Sequence, residues 1–156
     1  MSASLIDQMR MIYEGNNWHA SVRDLLRSVT AEQAAWRPEQ GGHTIHEIVA
    51  HVTYSASIVA ARLREGEAVW DEALGWIMTP STFTNNDWEA AISSYEDARN
   101  DLASAIAAMS HEQLAADRGK GRGTYNDMAQ QVIHHEAFHA GQIAMLRRLQ
   151  QQTALL

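Results

Sequence analysis

Residues 124–148 read TYNDMAQQVIHHEAFHAGQIAMLRR, and this stretch decides the fold class. At 100° per residue, Val132, His135, His139, Ile143 and Leu146 all fall within about 60° of Met128, forming one stripe along a helix. Thr124 and Asp127 open it as a capping box. The hydroxyl can accept from an orphan N–H of the first turn, and the carboxylate favours the positive end of the helix dipole. Arg147 and Arg148 sit near the other end, where cations are favoured. The pattern predicts a helix over about 125–150.

Working outward, helical spacing recurs. Proline occurs only at Pro38 and Pro80, and no segment alternates with the period of two expected of a half-buried strand. Trp88, Ile92, Tyr95, Leu102, Ile106 and Met109 share one helical face. Further helices are expected at about 4–28, 45–65 and 87–108. Thr44-Ile-His-Glu47 is a second capping box, 80 residues before Thr124-Tyr-Asn-Asp127. The same offset aligns Thr30-Ala-Glu-Gln33 with Ser110-His-Glu-Gln113, Ile48 with Met128, and Leu63 with Ile143. The expectation is an all-α, single-domain chain over 1–156, a four-helix bundle in which one helical hairpin is written twice with pseudo-twofold symmetry. The connection at 66–86 is long for such a bundle, and its Trp70, Trp76 and Phe83 suggest that it packs over something.

Composition narrows the chemistry. Cysteine is absent, which removes disulfides, thiolate ligands and a cysteine nucleophile. No window approaches a membrane span, and the N-terminus lacks a signal-peptide pattern, so a cytoplasmic protein without membrane association is expected. The net charge of −7 and the single lysine, Lys120, argue against a nucleic-acid partner. The cluster Arg118-Gly-Lys120-Gly-Arg122-Gly is expected to be a mobile loop rather than a phosphate cradle.

Eight histidines are the unusual figure. His135 and His139 lie in the middle of the apolar stripe, one turn apart, where two imidazoles can share one metal ion. Together with Glu136 they match the H-E-x-x-H signature of zinc peptidases. The segment after His139 contains no Asp, Glu or His, so the third ligand such a peptidase needs is missing there. Upstream, His51 is the best candidate, because the 80-residue offset sets it against Gln131, on the same face one turn before His135. His19 is the runner-up, sharing a side of the first helix with Met9, Ile12 and Asn16. His43, His46 and His111 are expected to be solvated or in loops.

The pattern of HTIHEIVAHV (43–52), TAEQAAWRP before it, and HEAFHAGQI (135–143) resembles the DinB/YfiT-like superfamily over roughly residues 10–150. The resemblance implies a four-helix bundle, often dimeric, binding a divalent metal through three histidines, which here are His51, His135 and His139. It also implies kinship with thiol-dependent transferases and an isomerase that use low-molecular-weight thiols.

Three neutral imidazoles leave a divalent ion with open coordination positions, able to lower the pKa of water or of an incoming thiol. Histidine nitrogens suit Zn or Ni, with Fe, Mn and Cu as alternatives. The expected function is that of a metal-dependent transferase or hydrolase acting on a small-molecule substrate, with a non-catalytic metal- or ligand-binding protein as the alternative and a metallopeptidase third. Glu136 is a weak candidate for general base, better placed on a solvated edge of the helix. Gln142 is a weak candidate for a hydrogen bond at the metal, and Tyr54 and Tyr125 for substrate contacts.

Overall fold

The computed structural model describes residues 2–15 and 18–153. Among them the chain forms eight helices: α1 (Ser2–Glu14), α2 (Val22–Leu26), α3 (Ala31–Ala35), α4 (Ile45–Glu65), α5 (Glu72–Gly75), α6 (Asn85–Ala108), α7 (His111–Ala115) and α8 (Tyr125–Thr153). Apart from an isolated antiparallel bridge between Asp117 and Thr124, no β-structure occurs among the described residues. No helix among them is long and apolar enough to cross a membrane.

The four long helices surround one core. α4 packs on α6 and α8, and α1 packs on the same two helices. Leu5, Ile45, Ile48, Ile106, Leu114 and Ile133 are nearly or fully excluded from solvent. Each such side chain contributes about 1.5–3 kcal/mol through burial. Trp88 on α6 donates its indole N–H to the Val29 carbonyl at 2.7 Å, fixing α6 against the segment that leads into α3.

The capping chemistry forms as the sequence dictates. Thr30 with Gln33 and Ser110 with Gln113 make reciprocal capping boxes on α3 and α7, and Thr44 with Glu47 does so on α4. At the start of α8, Thr124 N–H donates to Asp127 at 2.8 Å and Asp127 N–H to the Thr124 hydroxyl at 3.1 Å. Both members of each pair related by the 80-residue offset therefore begin a helix at the matching position. Exchange of a cap for alanine costs about 1 kcal/mol.

The expected helix over 4–28 is broken. α1 stops at Glu14 because Gly15 takes a φ of +97°, a left-handed conformation that ends helices. The chain restarts at Ser21, whose hydroxyl accepts from Asp24 N–H at 3.0 Å. His19 thus lies beyond the end of α1, exposed, with Nδ1 against the Ala20 carbonyl. Asn16, assigned to the same helical side, lies outside the described residues.

Candidate metal centre

α4 carries His51 on the face that meets α8, and α8 presents His135 and His139 one turn apart. Ring nitrogens of the three lie within 4.8 Å of one another. His51 Nε2 and His139 Nε2 each sit 3.0 Å from His135 Nε2. His51 Nδ1 lies 2.6 Å from the Gly75 carbonyl. A carbonyl oxygen only accepts, so Nδ1 carries the proton and Nε2 a lone pair. The same reasoning applies to His139, whose Nδ1 donates to Gln142 Oε1 at 2.6 Å. His135 Nε2 touches both and can offer at most one proton, so at least one contact sets lone pair toward lone pair unless a cation is shared. Three neutral nitrogen donors converging in this way fit a divalent transition metal.

The surroundings keep the rings neutral. Burial lowers the pKa of His51, although its bond to Gly75 opposes the shift. Burial and the neighbouring His51 lower that of His135. Burial, reinforced by His135, pushes His139 down to about 4. All three are therefore available as lone-pair donors at neutral pH.

The 66–86 connection covers this centre. Trp76 stacks on the His51 ring with centroids 3.8 Å apart and planes 5° from parallel, and meets His139 edge-on at 5.9 Å. Trp70 meets His51 edge-on at 6.0 Å. Gly75 sits where a Cβ would come 2.5 Å from the Trp70 ring, so only glycine brings the carbonyl to His51 under that indole. The connection is tied down by Glu47, whose side chain is fully buried. Glu47 accepts from Thr79 N–H at 2.9 Å, from Thr44 N–H at 3.2 Å and from Arg37. Burial would raise its pKa, but these bonds prevail and hold the carboxyl below its usual range.

Several sequence-based expectations need correction. His46 is buried rather than solvated: its Nδ1 lies 2.9 Å from the Thr79 hydroxyl and its ring packs on Phe83. His43 is exposed but stacks on Trp76 at 3.7 Å. Glu136 does not occupy a solvated edge. It is buried, with Oε1 accepting from Arg99 Nε at 2.5 Å and from the Tyr95 hydroxyl, both on α6. Gln142 bonds the far nitrogen of His139 and so orients the ring. Tyr54 accepts from Asp71 N–H at 2.9 Å and packs on Trp70. Trp76 is one of the three aromatics by which the sequence points to a cover, whereas Gly75 is not legible there, because a backbone carbonyl leaves no mark in a sequence.

Beside the cover, α4, α6 and the connection enclose a largely apolar groove of about 690 Å³, lined among others by His46, Tyr54, Leu74, Ile77 and Phe83. None of the three clustered histidines lines it.

The chain is similar in fold to YjoA, a DinB-like protein from Bacillus subtilis, with a TM-score of 0.68 and 15% identity over 94% of this chain and 92% of that one. It is also similar to the colibactin self-resistance protein ClbS in complex with a dsDNA, with a TM-score of 0.67 and 13% identity over 94% and 95% of the two chains. No curated protein sequence matches it. The ClbS complex overturns the exclusion of nucleic acid argued from net charge. A protein of this fold does engage DNA, and phosphate contacts depend on local charge rather than on a whole-chain sum. Residues 17–143 match the family model of the DinB superfamily, and the chain belongs to that superfamily.

Proposed function

We propose that the protein is a divalent-metal-dependent enzyme of transferase or hydrolase type, with His51, His135 and His139 holding the ion. Zn or Ni is favoured, ahead of Fe, Mn and Cu. The observation that carries this reading is the convergence of three Nε2 atoms at 3.0 Å contacts, two of them fixed as lone-pair donors by their Nδ1 partners. A divalent ion bound there supplies Lewis acidity, lowering the pKa of a water or thiol that reaches it. With no cysteine in the chain, a sulfur nucleophile has to arrive as a low-molecular-weight cosubstrate.

The chain's own groups set up the site. The Gly75 carbonyl and Gln142 hold the protons of His51 and His139 on Nδ1, and Trp76 keeps bulk water from the His51 ring face. Glu136 receives no role as base in this reading, because its carboxylate is committed to Arg99 and Tyr95 on α6. That commitment also argues against the peptidase reading. The second reading, a non-catalytic binding protein, is favoured by the apolar groove, which could hold a ligand without contact with the histidines.

Elemental analysis of purified wild-type protein and of His51→Ala tests the proposal. The wild type should carry about one ion per chain and the variant almost none. Metal-loaded wild type, but not His51→Ala, should accelerate transfer of a low-molecular-weight thiol to an electrophile. Metal-free wild type whose stability is unchanged by added Zn²⁺ or Ni²⁺ would sink the metal reading. Metal binding without turnover, alongside saturable uptake of an apolar dye by the groove, would favour the binding protein.

A further inference from the structure

A separate, more polar cavity lies at the other end of the α4–α8 seam. Its volume is about 310 Å³, and its polar lining comes from Arg62, Arg118, Arg122, Glu67 and Tyr125. Arg62 stands 11 residues beyond His51 on α4 and Tyr125 stands 10 before His135 on α8, roughly 15 Å along the seam at 1.5 Å per residue.

The three guanidiniums are held by backbone carbonyls. Arg62 Nε donates to Ala68 O at 2.9 Å, Arg118 donates to Arg122 O, and Arg122 donates to Gly119 O at 3.3 Å and to Arg118 O at 3.2 Å. Such bonds fix the forks in place without neutralising their charge, and each fork retains N–H groups beyond those used. Arg118 Nε is buried with no hydrogen-bond partner, a costly arrangement for a charged donor. The nearby Asp127 carboxylate is turned to the N–H and hydroxyl of Thr124, each at 2.8 Å. The loop curls because Gly119, Lys120 and Gly121 are successively left-handed, with φ of +73°, +56° and +68°. That curl lets each of the Arg118 and Arg122 heads donate to the other residue's carbonyl, a held turn where the glycine spacing alone suggests a mobile loop and no phosphate cradle.

We propose that this cavity is a binding site for the oxyanion, phosphate or carboxylate, of a small molecule, with Arg118 and Arg122 as its principal donors and Arg62 and the Tyr125 hydroxyl completing it. Three guanidiniums against the carboxylates of Glu67 in the lining and Asp127 beside Arg118 still leave a net positive charge there, in a chain of net charge −7. The concave shape and modest volume suit a small ligand. The site stands independently of the histidine centre.

The test is calorimetric titration of inorganic phosphate and of succinate into the full chain. It is run in wild type and in His51→Ala, which separates this cavity from the histidines. Saturable binding of at least one anion should persist in His51→Ala. Arg122→Ala and Arg118→Ala should each weaken it roughly tenfold or more, as loss of a charge-assisted bond does. Glu67→Gln should tighten it a few-fold, a gain that damage to the fold cannot imitate. The proposal is overturned by any of four results: no saturable binding up to about 10 mM, binding that disappears in His51→Ala, affinities unchanged by Arg122→Ala and Glu67→Gln, or duplex DNA binding through these arginines where phosphate and succinate do not.

Discussion

Glu136→Gln is the sharpest perturbation, because it removes one charge and almost no volume at the residue that completes the H-E-x-x-H match. In the native chain Arg99 Nε lies 2.5 Å from Glu136 Oε1, with the two side chains 10% and 7% exposed. Arg99 also donates to the Met9 carbonyl at 2.6 Å and lies over the Tyr13 ring at 4.4 Å. The pair therefore joins α8, α6 and α1. Breaking a buried pair by removing one partner costs about 3–5 kcal/mol, since the other charge stays buried and uncompensated. For a chain of this size each kcal/mol lowers Tm by about 2–4 °C, so Glu136→Gln should melt roughly 6–20 °C below wild type. Its metal content should be unchanged. Adding Arg99→Met should recover part of the loss, because it removes the uncompensated buried charge while the amide introduced at 136 can still accept from the Tyr95 hydroxyl. Thermal and urea unfolding followed by circular dichroism, with elemental analysis alongside, measures all three proteins. A single variant as stable as wild type, or one that loses metal or activity at full stability, would refute this reasoning and return Glu136 to the metal centre.

The chelator-treated protein should lose stability as pH falls. His139 is held at about 4 when folded against an ordinary 6.5, so between those values the unfolded chain binds the extra proton. Its contribution is intact above about 6.5 and erodes toward 4 by about 3 kcal/mol, and a flat urea midpoint across that range would contradict it. Gly75→Ala should displace Trp70 or the Gly75 carbonyl and weaken metal retention several-fold, read by competition with a chromogenic chelator; unchanged affinity would mean that the carbonyl does not position His51. Glu47→Gln weakens the charge-assisted bonds to Arg37 and Thr79 and should cost about 1.5–3 kcal/mol, with increased quenching of tryptophan fluorescence as the cover over His51 loosens. Destabilisation with no change in quenching would separate Glu47 from the cover.

What was legible in the sequence was local. α4 and α8 begin where Thr44 and Thr124 put them, because a capping box is complete within four residues and needs nothing distant. The His135–His139 spacing is legible for the same reason, and His51 could be reached through the 80-residue offset. The failures involve groups brought together by tertiary packing. Sequence alone sets Glu136 on a solvated edge because its partners, Tyr95 and Arg99, arrive from another helix. Sequence alone sets His46 in solvent because Thr79 and Phe83, which bury it, belong to the connection. The apolar spacing of Leu5, Met9 and Ile12 stops at Ile12, and Gly15-Asn16-Asn17 carries a local turn signal to which the expected helix over 4–28 gives too little weight.

The structure gives one carboxylate two tasks that separate motifs would not reveal. Glu47 closes the capping box of α4 opposite Thr44, and the same side chain accepts from Thr79 N–H in the connection. Between Thr79 and the end of α4 the connection carries Gly75 and Trp76, which fix the tautomer of His51 and stack on its ring. The start of α4 thus defines the helix that carries His51 and also anchors the segment that orients it. A change at Glu47 reaches the histidine centre by this second route even though it lies a full turn of α4 away. Loss of the α4 cap and displacement of the histidine centre should accordingly go together in Glu47 variants, and in Thr44→Ala too, because the Thr44 hydroxyl also meets the Thr79 hydroxyl at 2.8 Å. Thr30→Ala, by contrast, which opens a capping box on α3 with no tie to the connection, should cost about 1 kcal/mol of stability with the centre left in place.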